Sequence, residues 1–299
     1  MMTELAETER ADARYKGFDT WSDTDALAAL WQGQQNAIAS LKPALPAISA
    51  AVTDLAKKLR HGEGRLIYAG AGSSGLLAMQ DGMEMTPTFS WPPERLVFLM
   101  AGGDAARLYP VGVVEDDADA AMRDAATTSI TSADVVIGVA ASGTTPYTVG
   151  LMGAAKTAGA LTIAIVNNAN TPLAALADHA IVLLSGPEVI AGSTRLAAGT
   201  AQKAALGLMS SLLMTRLGHV IDGYMISLTA DNIKLRDRAS RMIADIASVN
   251  QDSASAALEN CAGQVKPAIL VATGMTPTDA HDALAATGGD LRRTLKNCH

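Results

Sequence analysis

Arg65-Leu66-Ile67-Tyr68-Ala69-Gly70-Ala71-Gly72-Ser73-Ser74-Gly75 carries a hydrophobic strand straight into a loop of glycines and hydroxyls. The chain repeats this at Val135-Val136-Ile137-Gly138-Val139-Ala140-Ala141-Ser142-Gly143-Thr144-Thr145-Pro146. A helix-like segment follows each loop. A helix N-terminus offers unpaired N–H groups and the positive end of the helix dipole, so phosphate binds there readily. Serine and threonine add donors without bulk. Two such loops point to one phosphorylated small molecule held between strand ends.

Outward from these loops, strands and helices alternate. Further strands are expected at Leu96–Ala101, Thr162–Val166 and Ala180–Leu184, and helices at Ser74–Met83, Ala118–Thr127, Tyr147–Ala158 and Pro172–Ala177. The strands are continuous apolar runs, as expected where both faces of a parallel sheet are covered. Such sheets bind ligands outside the carboxyl ends of their strands, where both loops lie.

Before the sheet, Asp23 to Arg60 repeats apolar residues at three and four (Leu27, Leu30, Ile38, Leu41, Leu45, Ile48, Val52, Leu55, Leu59). Pro43 and Pro46 argue for two helices, with the prolines in the first turn of the second. His61-Gly62-Glu63-Gly64 reads as a turn. After the sheet, Gly192-Ser193-Thr194 reads as the cap of a long helix through Ala204 to Leu217. Another helix is expected from Leu228 or Asn232 to Ala247. Three short helices follow, over Val265–Thr273, Pro277–Thr287 and Asp290–Lys296. The expected division is an N-terminal arm over 1–22, a main domain over 23–248 and a small helical subdomain over 249–299.

Composition narrows the function classes. The chain has 299 residues and a formal charge of −7, with no basic stripe for nucleic acid. Lys234, Arg236, Arg238 and Arg241 alternate with Asp231 and Asp237, and read first as a solvated helix face. Cys261 and Cys298 have no metal-ligand spacing, and the histidines form no HxH or HxxxH pair. A reduced cytoplasmic protein without metal or membrane span is expected.

The first loop matches GxGxxG, which alone is a weak dinucleotide signal. A nucleotide fold wants an acid about twenty residues on to hold ribose. Here Asp104 falls only just beyond the next strand, and the second loop has no place in that fold. Purely structural turns remain the other alternative.

Three acids lie near strand ends. Glu84, in Gly82-Met83-Glu84-Met85-Thr86-Pro87-Thr88-Phe89, is expected to be buried beside methionine, which would raise its pKa and suit a general acid. The alternative is a helix C-terminal residue bonded to backbone. Glu115 opens Glu115-Asp116-Asp117, and reads equally as an acidic first turn favouring the next helix. Glu188 follows the last strand, in Ser185-Gly186-Pro187-Glu188.

The two loops, the Glu84 segment and Gly186-Pro187-Glu188-Val189-Ile190-Ala191-Gly192-Ser193-Thr194-Arg195-Leu196-Ala197-Ala198-Gly199-Thr200-Ala201-Gln202-Lys203 together resemble the N-acetylmuramic acid 6-phosphate etherase family. That family belongs to the sugar isomerase (SIS) superfamily, with the glucokinase regulatory protein. The resemblance covers about residues 20–297 and includes Asn232-Ile233-Lys234-Leu235-Arg236-Asp237-Arg238-Ala239. It implies a three-layer α/β/α SIS domain with a parallel five-stranded sheet and a small C-terminal helical subdomain. It implies a cofactor-free carbon–oxygen lyase acting on a phosphorylated amino sugar, and a homodimer. Base removal of the C2 proton of the open sugar expels the D-lactyl ether from C3. Water then adds, giving N-acetylglucosamine 6-phosphate and D-lactate. By resemblance Glu84 is the acid and Glu115 the base. Gly72, Ser73, Ser74, Ser142, Gly143, Thr144, Thr145, Glu188, Ser193 and Thr194 are the expected substrate and phosphate contacts.

The chain departs from the family at Leu76 and Thr144, where the family carries arginine. Its N-terminal motif survives only in part, as Thr8-Glu9-Arg10-Ala11-Asp12-Ala13. Arginine is the natural bidentate partner of a lactyl carboxylate, so these departures leave the C3 substituent open. A sugar-phosphate sensor without turnover and an aldose–ketose isomerase stand as alternatives.

Overall fold

The computed structural model describes residues 6–60, 63–109 and 112–297. His61, Gly62, Cys298 and His299 lie outside the described residues. The chain divides into two compact units. One holds the described residues up to Met83 together with Pro93–Ser210, and the other holds Glu84–Pro92 and the described residues from Ser211 onward.

The first unit opens with three 3-10 turns, Glu7–Glu9, Ala13–Tyr15 and Phe18–Thr20. Helices α1 (Asp23–Ala39) and α2 (Leu41–Arg60) follow. The periodicity of α2 buries Leu41, Ile48, Val52, Leu55 and Leu59 on one face. Pro43 falls in the first turn as expected, but Pro46 lies inside the helix.

Then come β1 (Leu66–Gly70), α3 (Gly72–Phe89), β2 (Leu96–Met100), α4 (Gly103–Leu108), α5 (Ala118–Thr128) and β3 (Val135–Val139). After them run α6 (Pro146–Thr157), β4 (Leu161–Val166), α7 (Pro172–Leu176), β5 (His179–Val182) and α8 (Ala197–Arg216). Helix α3 outruns its expected end at Met83 and passes through Pro87.

The five strands are all parallel, in the order β2-β1-β3-β4-β5. Every residue of β1 and β3 is buried. Ile67 and Ala69 point into a core with Val136, Tyr147, Leu151, Met152 and Leu173 beneath α6 and α7. On the opposite face Tyr68 lies against Gly82 of α3, where an added Cβ would meet its ring at 2.7 Å. Helix α2 packs on β4 and β5. The result is the expected three-layer α/β/α arrangement.

Asp134, which is 2% exposed, fixes the register at the start of the two central strands. It accepts from the backbone N–H of Arg65 at 2.9 Å, from Nη2 of the same residue at 2.8 Å and from the Thr131 N–H at 2.9 Å. The order reverses around β1: the chain goes from β1 to β2 on one side, then returns to place β3 on the other. The loops leaving β1 and β3 therefore diverge from a shared point and leave a crevice, the usual ligand position in an open parallel sheet.

The second unit has a core of its own, including Ile226, Leu228, Ala239, Ile243, Leu258, Ile269 and Leu284. It contains the hairpin β6 (Val220–Ile221) and β7 (Tyr224–Met225). Its helices are α9 (Ile233–Ala247), α10 (Gln251–Asn260), α11 (Val265–Ala272), α12 (Pro277–Ala286) and α13 (Leu291–Asn297). The contact boundary thus falls after Ser210 instead of the expected residue 248. The reason is that α9 packs on α10 and α11 and contributes Ala239, Met242 and Ile243 to their core. The basic residues Lys234, Arg236, Arg238 and Arg241 stand exposed on α9, where Arg241 pairs with Asp237 at 2.7 Å. Among the described residues no helix is long and apolar enough to cross a membrane.

Candidate active site

A cavity of about 160 Å³ opens at the strand-order reversal in the first unit. The end of β1 supplies Ala71, Gly72, Ser73 and Ser74, and the end of β3 supplies Ala140, Ala141, Ser142 and Thr145. Glu115, Thr194 and Glu9 complete the lining. Sequence-expected residues from four separate segments meet here, along with one, Glu9, that sequence reasoning did not assign to the site.

The local chemistry of each loop follows from its sequence. Gly72 has φ +51°, in the left-handed region, and opens α3. The first-turn N–H groups of α3 face the cavity end of the helix, as do the Ser73 and Ser74 side chains that line it. In the second loop Gly143 has φ +67° and lies so close to Thr171 that a Cβ would stand 2.4 Å from its Oγ1. Only glycine permits that turn. The Thr144 N–H donates to Ser142 Oγ at 3.2 Å, and Ser142 Oγ lies 3.5 Å from Thr145 Oγ1. Pro146 then starts α6 at a position that needs no N–H. The cavity thus gathers hydroxyls and helix N-termini on one side. Among the described residues no lysine or arginine lines it.

Two carboxylates, Glu115 and Glu9, share its wall. Glu115 sits in a 3-10 turn over Gly112–Asp116. Burial pushes its carboxyl above the ordinary glutamate value, and Asp116 beside it adds to the rise. Thr8 is fully buried and brings the arm to the cavity, with Glu9 on its wall.

Several expectations are corrected. Glu84 is not a buried acid: it is exposed on α3, within the second unit. Successive residues on a helix point about 100° apart, so flanking methionines cannot enclose it. Met85 is buried, whereas Met83 is 59% exposed.

Glu188 is 1% exposed, and its two oxygens accept from the N–H groups of Ala197 and Ala198, each at 2.9 Å. It caps α8. Burial raises its carboxyl, and the two N–H bonds only partly offset that rise. Gly192-Ser193-Thr194 accordingly precedes the helix as a turn and does not cap it. Thr194 reaches the cavity wall, while Ser193, Gly143, Glu188 and the exposed Thr144 are not lining residues. Leu76 is not one either. Among the described residues no group of three or more His, Cys, Asp or Glu side chains could hold a metal ion.

Comparison with known proteins agrees with this geometry. The N-terminal SIS domain of the glucokinase regulatory protein matches residues 47–156, and the SIS domain matches residues 108–211. An N-acetylmuramic acid 6-phosphate etherase of Deinococcus radiodurans is 44% identical over 98% of this chain and 96% of its own length. That of Streptomyces avermitilis is 40% identical over 90% of this chain and 87% of its own. That of Klebsiella aerogenes is 38% identical over 97% of each. On this similarity, which runs through both strand-end loops and across the whole cavity wall, the chain belongs to the N-acetylmuramic acid 6-phosphate etherase family.

Proposed function

We propose that this protein cleaves the C3 D-lactyl ether of N-acetylmuramic acid 6-phosphate by elimination and hydration. The observation that carries the reading is the 44% identity to an etherase over nearly the full length, joined to a cavity that brings hydroxyls and helix N-termini together with Glu115.

In the proposed mechanism the phosphate sits against Ser73, Ser74, Ser142 and Thr145. The sugar opens to its aldehyde, which acidifies the C2 proton. Glu115 takes that proton. The electron pair forms the C2–C3 double bond as the C3–O bond breaks, and the leaving lactate oxygen receives a proton from Glu84. Water adds its oxygen to C3 and a proton returns to C2, giving N-acetylglucosamine 6-phosphate and D-lactate. The raised carboxyl of Glu115 suits the base role, because a stronger base takes the C2 proton more readily. The family resemblance supports the acid role of Glu84.

Homodimerisation and a cytoplasmic location complete the reading, the first testable by light scattering. The deciding experiment incubates the protein with N-acetylmuramic acid 6-phosphate in deuterated water. Release of D-lactate with one deuterium at C2 of the product is the expected result. An epimer or ketose carrying deuterium would mark an isomerase, and bound but unchanged sugar a sensor. Lactate release at a rate typical of etherases would also close the question that Leu76 and Thr144 raise about the C3 substituent.

A further inference from the structure

Among the described residues of the N-terminal arm, one polar residue is buried, and it fastens the arm to the cavity. Thr8 is 0% exposed, and its hydroxyl accepts from Asn168 Nδ2 at 3.0 Å. The same Asn168 nitrogen donates to the Ala141 carbonyl at 2.9 Å, on the second glycine-hydroxyl loop. The Thr8 N–H donates back to Asn168 Oδ1 at 3.4 Å, and the Thr8 carbonyl accepts from the Gly192 N–H at 3.3 Å. Thr8 is therefore pinned between the loop that follows β3 and the turn that precedes α8.

Its neighbour Glu9, exposed overall, thereby lies on the cavity wall with Glu115, Ser73 and Thr194. One carboxylate oxygen of Glu9 stands 3.1 Å from where a Cβ on Gly192 would be. No hydrogen bond or ion pair ties that carboxylate to any other described residue. An ionised carboxylate only accepts hydrogen bonds, and among the described residues no lysine or arginine lines the cavity to neutralise it.

We propose that Glu9 is a specificity-determining residue of this site, holding the hydroxyl or amide N–H donors of the amino-sugar body while the phosphate lies on the hydroxyl loops. The inference rests on the phosphosugar reading above. An acceptor-only group against neutral donors favours a polyhydroxylated, N-acylated sugar and repels a second anion from that corner. It assigns no proton transfer to Glu9.

The test separates this role from a structural one by using two ligands. Calorimetry measures N-acetylglucosamine 6-phosphate and inorganic phosphate binding to the wild type, Glu9→Ala, Glu9→Gln and Thr8→Val. Glu9→Ala should weaken the sugar phosphate by about tenfold or more and leave inorganic phosphate unchanged. Glu9→Gln should fall between, and Thr8→Val should shift the sugar phosphate in the same direction by releasing the arm. Unchanged sugar-phosphate affinity in Glu9→Ala overturns the proposal, as does an equal loss for both ligands. Because binding is read without turnover, a wild type that binds this product but releases no lactate would count against the etherase reading alone.

Discussion

The carboxylate of Glu115 occupies the space that a side chain on Gly72 would need: its Oε1 lies 2.6 Å from the position of an added Cβ. The first glycine-hydroxyl loop and the proposed base are thus fitted to each other. Gly72→Ala would displace the carboxylate, a flexible group that yields easily, and would place alanine at φ +51°. A stability loss of only about 1 kcal/mol is expected, with a much larger loss of turnover. Thermal melts beside steady-state kinetics check this; full activity in a folded Gly72→Ala protein would argue against Glu115 as the base.

The raised carboxyl of Glu115 sets a pH dependence with a definite sign. A base works only when deprotonated, so kcat/KM rises as pH climbs through the raised value. The acid limb should lie above the range of an ordinary glutamate. Burial is the larger cause and Asp116 the smaller, so Asp116→Asn should move that limb to lower pH without abolishing activity. Glu115→Gln should cut kcat by roughly 10²–10⁴-fold. A pH–rate series on the three proteins measures both effects.

Glu188 is predicted to matter for folding more than for chemistry. Its carboxylate satisfies two N–H groups at the buried start of α8. Glu188→Ala leaves both without a partner and should cost about 2–4 kcal/mol. Glu188→Gln keeps one acceptor and should cost less. Urea denaturation reads the difference, and the surviving folded fraction should bind inorganic phosphate normally.

Asp134 should make the sheet sensitive to acid. Burial pushes its carboxyl up, but the bonds from Arg65 and Thr131 more than offset this and hold it below the ordinary value. A carboxylate depressed in the folded state stabilises the fold above its unfolded pKa, and that stability is lost as pH falls through the folded value. Asp134→Ala leaves the half-buried Arg65 without its partner and should cost about 3 kcal/mol. Melting curves across acidic pH should show a weaker pH slope in Asp134→Asn than in the wild type.

Most of the fold was legible because a parallel sheet writes itself locally. Runs such as Val135-Val136-Ile137 are apolar throughout when both faces are covered, and each strand of the parallel sheet was located to within one or two residues, whereas the short hairpin β6–β7 was not foreseen. The three helices after Gly263 were similarly marked by glycines and prolines. The end of α3 was not legible: the helix expected to stop at Met83 continues through Pro87 to Phe89. The unit boundary after Ser210 was missed because the periodicity of α9 shows that it has an apolar face but not which neighbours cover it.

The site divides in the same way. The sequence by itself determined the two glycine-hydroxyl loops and the helix starts behind them, because glycine, hydroxyl and helix start are neighbours along the chain and their backbone chemistry is local. Only the tertiary structure decided which carboxylates meet those loops and in what state. It exposed Glu84, half-buried Glu115 against Gly72, turned Glu188 into a helix cap, and carried Glu9 to the cavity through Thr8 and Asn168, 160 residues apart. Burial and proximity between distant segments set carboxylate pKa and partner alike, and neither has a period or spacing that one stretch of sequence can display.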